Sequence, residues 1–429
     1  MNFAEALAEL EGRQPERMVP DLSRIKALAE LLDHPELTYP TIHVTGTNGK
    51  TTTTRLISDL ACAHGLSAGT YTSPHLHSVT ERLALCGEPI AEEEFAEEYE
   101  NLVPFLREVD GRGDQRVTYF EALTALAYAW FADKPVSVGV FEVGMGGVWD
   151  ATNLVAGDVA VLTPIALDHP ELGSTVRQVA GEKAGIVKEG KIAVCREQPE
   201  GALSVIDARA REMEAQLLLE GRDWEMIGRI QGVGAQALTV RGLFGTYEGL
   251  RLPLFGEHAA RNAAAAVVAF EAFVDRQLAQ EAVEEALGSA SSPGRLEVLG
   301  RRPVIVADGA HNPAGAEALA RAVMESFAFE RLHLVLAVSA NKDLAGIVAE
   351  LAPLADAAYA AQNTSARTAP ADAVEGALRD AGLTPSTHVS VEEALDAARA
   401  QAGDTDLILV TGSLYTVADA RRALLPEIR

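Results

Sequence analysis

At 429 residues the chain exceeds one ordinary core, and two domains are expected. With 48% hydrophobic and 23% charged residues it reads as globular, and a formal charge of −26 excludes a nucleic-acid partner, since phosphate backbones select basic surfaces. No apolar run reaches membrane-spanning length, and the amphipathic, acid-containing start over 1–17 is no secretory signal, so no membrane partner and a cytoplasmic location are expected.

Residues 21–32 carry apolar positions at helical spacing behind an aspartate cap candidate. After Pro40, the stretch 41–54, TIHVTGTNGKTTTT, predicts a buried strand, a tight turn and a helix start. A triphosphate needs backbone N–H donors at close range, one mobile cation and a hydroxyl near Mg²⁺. Gly46 and Gly49 allow close backbone approach, Lys50 supplies the charge, and the new helix offers its N-terminal dipole. Only two residues separate Gly46 from Gly49, fewer than in the general P-loop pattern.

A helix over 51–64 is followed by a short strand ending at 70–74, TYTSP, and by a loop rich in His and charge, HLHSVTERLALCG. An acidic helix over 91–108 and a largely buried one over 118–132 follow. The apolar run 136–143 predicts a strand buried on both faces, with Glu142 near its end and glycines at 144, 146 and 147. A similar strand at 159–163 leads into Asp168 and His169, then a helix holding Glu182 and Lys183, then a strand at 192–195. This alternation means βαβ units and a mainly parallel sheet, whose ligands sit beyond the carboxyl ends of the strands.

Short glycine-rich segments over 226–254 suggest a small antiparallel piece, and 257–273 returns to helix. Residues 289–295, SASSPGR, read as a linker. Strands at 303–307, 332–338, 356–361 and 407–411 then build a second α/β domain. The expected fold is thus an α/β P-loop ATPase domain with a mainly parallel sheet over 1–290 and a smaller Rossmann-like domain over 296–429.

Cys62, Cys86 and Cys195 form no C-x-x-C pair, and buried thiols in a reducing compartment are expected. Glu142, a carboxylate on a buried strand, is either a metal ligand or an ion-pair partner. Taken alone, Ser73 is a turn serine, Asp168-His169 a helix entry and Lys183 a solvated charge. Asp308 and His311 follow a strand of the second domain, where they either face a ligand or form a bare turn. Asn262 and Arg295 read as surface polarity, Arg295 becoming a phosphate clamp only if the domains close. Together these residues describe a nucleotide site with Mg²⁺ and a second anionic substrate.

The ordered blocks HVTGTNGK (43–50), YTSPHL (71–76), ERLAL (81–85), TYFEALTALA (118–127), FEVGMGGVWDATN (141–153), LDHPELGST (167–175), GEKAGIVK (181–188), GEHAARNAAAA (256–266), PGRLE (293–297), DGAHNP (308–313) and VTGSLY (410–415) resemble the folylpolyglutamate synthase and dihydrofolate synthase group, relatives of the Mur ligases. The resemblance implies an ATP-dependent ligase that joins L-glutamate to dihydropteroate or to the γ-carboxylate of a reduced folate through an acyl phosphate. It implies that Gly46, Asn48, Gly49, Lys50, Thr51 and Thr52 bind the ATP phosphates, with Asn262, Arg295 and Asp308 as further nucleotide contacts. Ser73 and Glu142 would hold one Mg²⁺ and His169 a second, helped by a carbamylated Lys183; His311 would sit near the γ-phosphate. Phe120 and Glu121 would bind the pterin. Thr51-Thr52 follow Lys50 where the folate enzymes usually have Gly-Ser; this form is more like the Mur ligases and makes Thr51 a further candidate Mg²⁺ ligand. Val148-Trp149 stand where an arginine and a smaller apolar residue are more usual. The alternatives are a Mur-type ligase of peptidoglycan precursors, disfavoured because only 45 residues precede Gly46, and a P-loop ATPase switch. One site between two domains needs no second copy, so a monomer is expected.

Overall fold

The structure is a computed structural model that describes residues 1–15 and 19–425. The end of the amphipathic N-terminal segment and the last four residues of the second α/β region lie outside the described residues. Two compact units are present, one comprising 1–229, 237–251 and 261–290, the other 230–236, 252–260 and 291–429.

The first part of the chain runs α1 (Phe3–Glu11), α2 (Ser23–Leu31), β1 (Thr41–Thr45), α3 (Lys50–Ala63), β2 (Ala68–Tyr71), β3 (Leu83–Leu85), β4 (Glu88–Pro89), α4 (Glu92–Asp110) and α5 (Tyr119–Asp133). It continues with β5 (Val138–Glu142), β6 (Val159–Leu162), α6 (Val176–Ala184), β7 (Ile192–Cys195), α7 (Glu200–Glu212) and β8 (Gln216–Leu219). Then come β9 (Glu225–Gln231), β10 (Gln236–Arg241), β11 (Thr246–Leu252), α8 (Glu257–Val274) and α9 (Gln280–Gly288). The eight-stranded sheet has the order β4-β3-β2-β5-β1-β6-β7-β8. Its other pairs are parallel, and at one edge β3 pairs antiparallel with both β2 and β4, so β3 alone runs against the sheet. Every residue of β1, β5 and β6 is buried, which is why β5 and β6 read as runs without alternation; β1, TIHVT, alternates polar and apolar residues although both its faces are covered. The loop read from HLHSVTERLALCG contains β3: Tyr71 pairs with Leu83 and Gly69 with Leu85.

This pairing also overturns the expectation of three separate thiols. Cys62 closes the last turn of α3, Cys86 follows β3, and their Cα atoms stand 5.8 Å apart, joined by a disulfide. Cys195 is free and buried, and burial pushes its thiol up to about 12.

The second unit carries β12 (Glu297–Arg301), β13 (Val304–Asp308), α10 (Pro313–Ser326), β14 (Leu332–Leu336), α11 (Leu344–Leu351), β15 (Ala357–Ala360), α12 (Ala371–Asp380), β16 (Ser386–Thr387), α13 (Val391–Gln401), β17 (Leu407–Thr411) and α14 (Leu414–Leu424). Its sheet has the order β12-β13-β17-β14-β15-β16, parallel except for β12. Apolar clusters cover both faces of this sheet, as a parallel sheet requires. Among the described residues no helix is long and apolar enough to cross a membrane.

Candidate active site

β1 ends at Thr45 and α3 begins at Lys50, so the connecting loop turns within four residues. Gly46 (φ +145°) and Gly49 (φ +88°) make that possible. A Cβ on Gly46 would lie 1.8 Å from the Thr163 hydroxyl, and one on Gly49 2.6 Å from the Asn262 amide. Gly49 stands at the N-cap of α3 and offers no side-chain cap, whereas α5 and α6 are closed by Thr118 and Thr175. The α3 terminus therefore keeps its dipole directed at whatever occupies the loop. Lys50 folds over it, its Nζ donating to the Gly46 and Thr47 carbonyls at 3.2 Å each. Thr163 donates to the Asn48 carbonyl at 2.7 Å and braces the turn from β6. Thr52, in the first turn of α3, is buried.

Glu142 ends β5 and is 1% exposed. Thr51 donates to its Oε1 at 2.8 Å, and the Ser73 backbone N–H donates to its Oε2 at 3.1 Å. The sheet order brings these three together, because β2 and β1 both flank β5. Both open alternatives for Glu142 place it among polar groups, and a hydroxyl and an amide are among its partners. A carboxylate beside two hydroxyl side chains is a hard-oxygen set that fits Mg²⁺, which takes one or two carboxylates and leaves its other positions to phosphate and water. No group of three His, Cys, Asp or Glu that could hold a metal is gathered among the described residues, and a cation shared with a nucleotide does not need one.

Lys183 is far from a solvated charge. It is 4% exposed, and its Nζ donates to the Gly46 carbonyl at 2.8 Å. Burial, and then the charge of Lys50, bring its ammonium down to about 7. Asp168 lies near enough to oppose part of that shift. His169 (φ +58°) is partly exposed, with Nε2 3.6 Å from Asp168 Oδ2.

Asn262 is buried on α8, and its Oδ1 accepts from Arg196 Nη1 at 2.6 Å. This fixes the amide orientation, with Nδ2 turned toward Gly49. Phe120 lies against Gly144, where a Cβ would come within 2.5 Å of the ring, and its ring stands 6.0 Å from that of Tyr71. Glu121 is 5% exposed and engaged internally: its Oε2 accepts from the Thr118 backbone N–H at 2.8 Å and from Arg24 Nε at 3.0 Å.

The second unit holds its own cluster. Asp308, at the end of β13, accepts from the Leu296 and Ala310 amides at 2.9 and 2.8 Å. Burial raises its carboxyl, while Arg295 opposes the rise. His311 Nδ1 donates to the Gly309 carbonyl at 2.8 Å, so in the neutral ring Nε2 carries the lone pair. Asn312 caps α10.

Sequence reasoning passed over Asp150, Thr152 and Arg82. Asp150 is buried and accepts from the Met145 and Thr152 amides at 2.9 and 3.0 Å, holding the loop that follows Glu142. The acid within the glycine-rich 144–153 segment was the available signal. Arg82 lies 5.3 Å over the Tyr119 ring and donates to His75 Nδ1 at 3.0 Å. Burial, then Arg82, bring His75 down to about 4.

Residues 44–270 match the Mur ligase middle domain, and 294–414 match the Mur ligase glutamate ligase domain. The dihydrofolate synthase/folylpolyglutamate synthase of Mycobacterium tuberculosis is 39% identical, covering 96% of this chain and 92% of that protein. The structure of the M. tuberculosis folylpolyglutamate synthase complexed with ADP superposes with a TM-score of 0.95 at 37% identity, covering 99% of this chain and 98% of that one. A folylpolyglutamate synthase–AMPPCP–folate complex gives 0.88 at 31% identity, over 99% of this chain and all of the other. These full-length matches set aside the peptidoglycan-precursor and P-loop switch alternatives. The chain belongs to the folylpolyglutamate/dihydrofolate synthase family of ATP-dependent ligases, assembled from Mur ligase domains.

Proposed function

We propose that the protein adds L-glutamate to dihydropteroate, to the γ-carboxylate of reduced folates, or to both. The observation that carries this reading is Glu142 meeting Thr51 and Ser73 beside an α3 terminus that has no side-chain cap. ATP transfers its γ-phosphoryl group to the substrate carboxylate, leaving ADP and an acyl phosphate. The glutamate amine then attacks the carbonyl carbon, loses a proton, and expels phosphate.

In this reading Gly46, Asn48, Gly49, Lys50 and Thr52 cradle the phosphates, and Asn262, Arg295 and Asp308 contact the nucleotide. Glu142, Ser73 and Thr51 would hold one Mg²⁺, and His169 with a carbamylated Lys183 would hold another; bound there, the cations would offset charge on the transferring phosphoryl group. Lys183 suits the modification because a buried amine brought down to about 7 is substantially neutral at physiological pH. His311, with its Nε2 lone pair, acts near the γ-phosphate. The pterin stacks on Phe120, and Glu121 steadies that wall through Arg24. The enzyme acts as a cytoplasmic monomer.

A panel of dihydropteroate, tetrahydrofolate and tetrahydrofolate diglutamate, read by product mass and phosphate release, tests the reading. Phosphate should appear only when glutamate and a pterin substrate are both present. Release indifferent to both would sink it. Phe120→Ala should raise KM for the pterin substrate about tenfold, since base- and pterin-like rings gain roughly 1–3 kcal/mol from stacking. Its KM for ATP should stay within about twofold; equal effects on both would remove the ring from the pterin pocket.

A further inference from the structure

Three alternate residues of β1 point to one face, and each bonds to the segment between β5 and β6. The Thr41 hydroxyl accepts from Gly157 N–H at 2.8 Å, His43 Nε2 lies 2.8 Å from the Thr152 hydroxyl, and Thr45 donates to the Gly146 carbonyl at 2.8 Å. His43, Thr45 and Thr152 are fully buried. We infer that His43 is a positioning residue that couples the nucleotide strand to the loop 144–152, and so holds the wall on which the pterin binds. The coupling is read from the bonds themselves; its effect on the pterin rests on the function proposed above.

The direction of each bond is determined. The Asp150 carboxylate takes the Thr152 hydroxyl proton as well as the Met145 and Thr152 amides. The hydroxyl has one proton to give, so toward His43 it can only accept. His43 must therefore be the Nε2–H tautomer, with a bare Nδ1, and Nδ1 is indeed a buried atom without a partner. Burial, reinforced by Lys188, brings the ring down to about 3, so it stays neutral and keeps this polarity. The chain of donors runs His43 to Thr152 to Asp150, and Asp150 holds the amide of Met145 beside Gly144, against which Phe120 packs.

The phosphate loop has braces of its own. Thr163 holds Asn48, Lys183 holds Gly46, and the Thr47 amide donates to Pro164 at 3.0 Å. The loop 144–152 is also held at Gly146 by Thr45, at Val148 by the Glu182 carbonyl and at Ala151 by Tyr128, but His43 alone of these bonds to the Thr152–Asp150 pair that holds Met145, so losing it should act on the pterin side.

Isosteres decide the matter. Glutamine places an amide N–H near the position of Nε2, whereas asparagine places one near Nδ1. In the full-length protein, His43→Asn and Thr152→Val should raise KM for the pterin substrate about tenfold, the scale of one lost buried hydrogen bond, with KM for ATP within about twofold. His43→Gln and Thr152→Ser should stay within about threefold of wild type. Trp149 adds a readout that needs no substrate: it is 50% exposed, while the two other tryptophans, Trp130 and Trp224, are buried. Acrylamide quenching of Trp149 should rise in His43→Asn and Thr152→Val alone. If wild type turns over no pterin, the substrate reading fails, while the quenching still decides the coupling. Glutamine behaving like asparagine, both KM values moving together, or quenching unmoved in both disruptive variants would overturn the proposal. Should His43→Asn fail to fold, Thr152→Val against Thr152→Ser gives the same comparison.

Discussion

Lys183→Ala is expected to lower kcat by about 10²–10³-fold, the scale of removing one preorganised charged group from a phosphoryl-transfer site. Formate or acetate should restore part of it. The ammonium is buried against the Gly46 carbonyl and near Lys50, and both burial and that like charge favour the neutral amine. With the amine brought down to about 7, about half is unprotonated at neutral pH, against roughly one in 10³ for an ordinary lysine. A neutral amine can add CO₂: the N–C bond forms, one proton leaves the nitrogen, and the neutral amine becomes a carbamate anion.

The sign of the pH effect follows. Below about 7 the amine protonates and cannot add CO₂, so reactivation of a bicarbonate-stripped sample should be faster at pH 8 than at pH 6. Steady-state ADP release with and without bicarbonate measures it. Full activity of Lys183→Ala without added carboxylate would refute the carbamate, as would reactivation indifferent to pH.

Glu142→Ala is expected to lose about 10³-fold in kcat/KM while its melting temperature stays within a few degrees of wild type or rises. The two effects part because they rest on different terms. A carboxylate that is 1% exposed is costly to bury, even with the Thr51 hydroxyl and the Ser73 amide donating to it. Its removal relieves that cost, and Thr51 can turn its hydroxyl elsewhere. Activity has no such substitute, because Glu142 is the carboxylate where β1, β2 and β5 bring hydroxyls together. Glu142→Gln should be nearly as inactive, since the amide keeps the shape and loses the charge. Calorimetry beside a coupled ADP assay separates the outcomes. Ligase activity of Glu142→Ala within about threefold of wild type at saturating Mg²⁺ would remove Glu142 from the metal site.

The strand–turn–helix proposed to hold the nucleotide was legible because its requirements are local. A strand, two glycines in left-handed or strained conformations and a lysine at a helix start are contiguous from Thr41 to Lys50. Glu142 was legible too, as an acid inside an unbroken apolar run. Other residues were not, for a common reason: their partners are distant in sequence. Glu121 read as a carboxylate open to substrate, but Arg24, 97 residues earlier, packs against it. Cys62 and Cys86 read as separate thiols, since a spacing of 24 carries no pairing signal. They meet because α3 lies beside β2, and β3 returns antiparallel along it.

By itself, the sequence determined the α/β class, the phosphate loop, the ligase family and the acid at the end of β5. Each is written in a short window or in the order of such windows. Only the tertiary structure decided which side chains the loop works with. Lys183 reaches Gly46 across 137 residues, and His43 reaches Thr152 across 109. In β1 the polar Thr41, His43 and Thr45 alternate with the apolar Ile42 and Val44, but both faces are buried, so the alternation does not mark which partner each face meets. That choice is made when the sheet closes around the strand and every buried donor must find an acceptor.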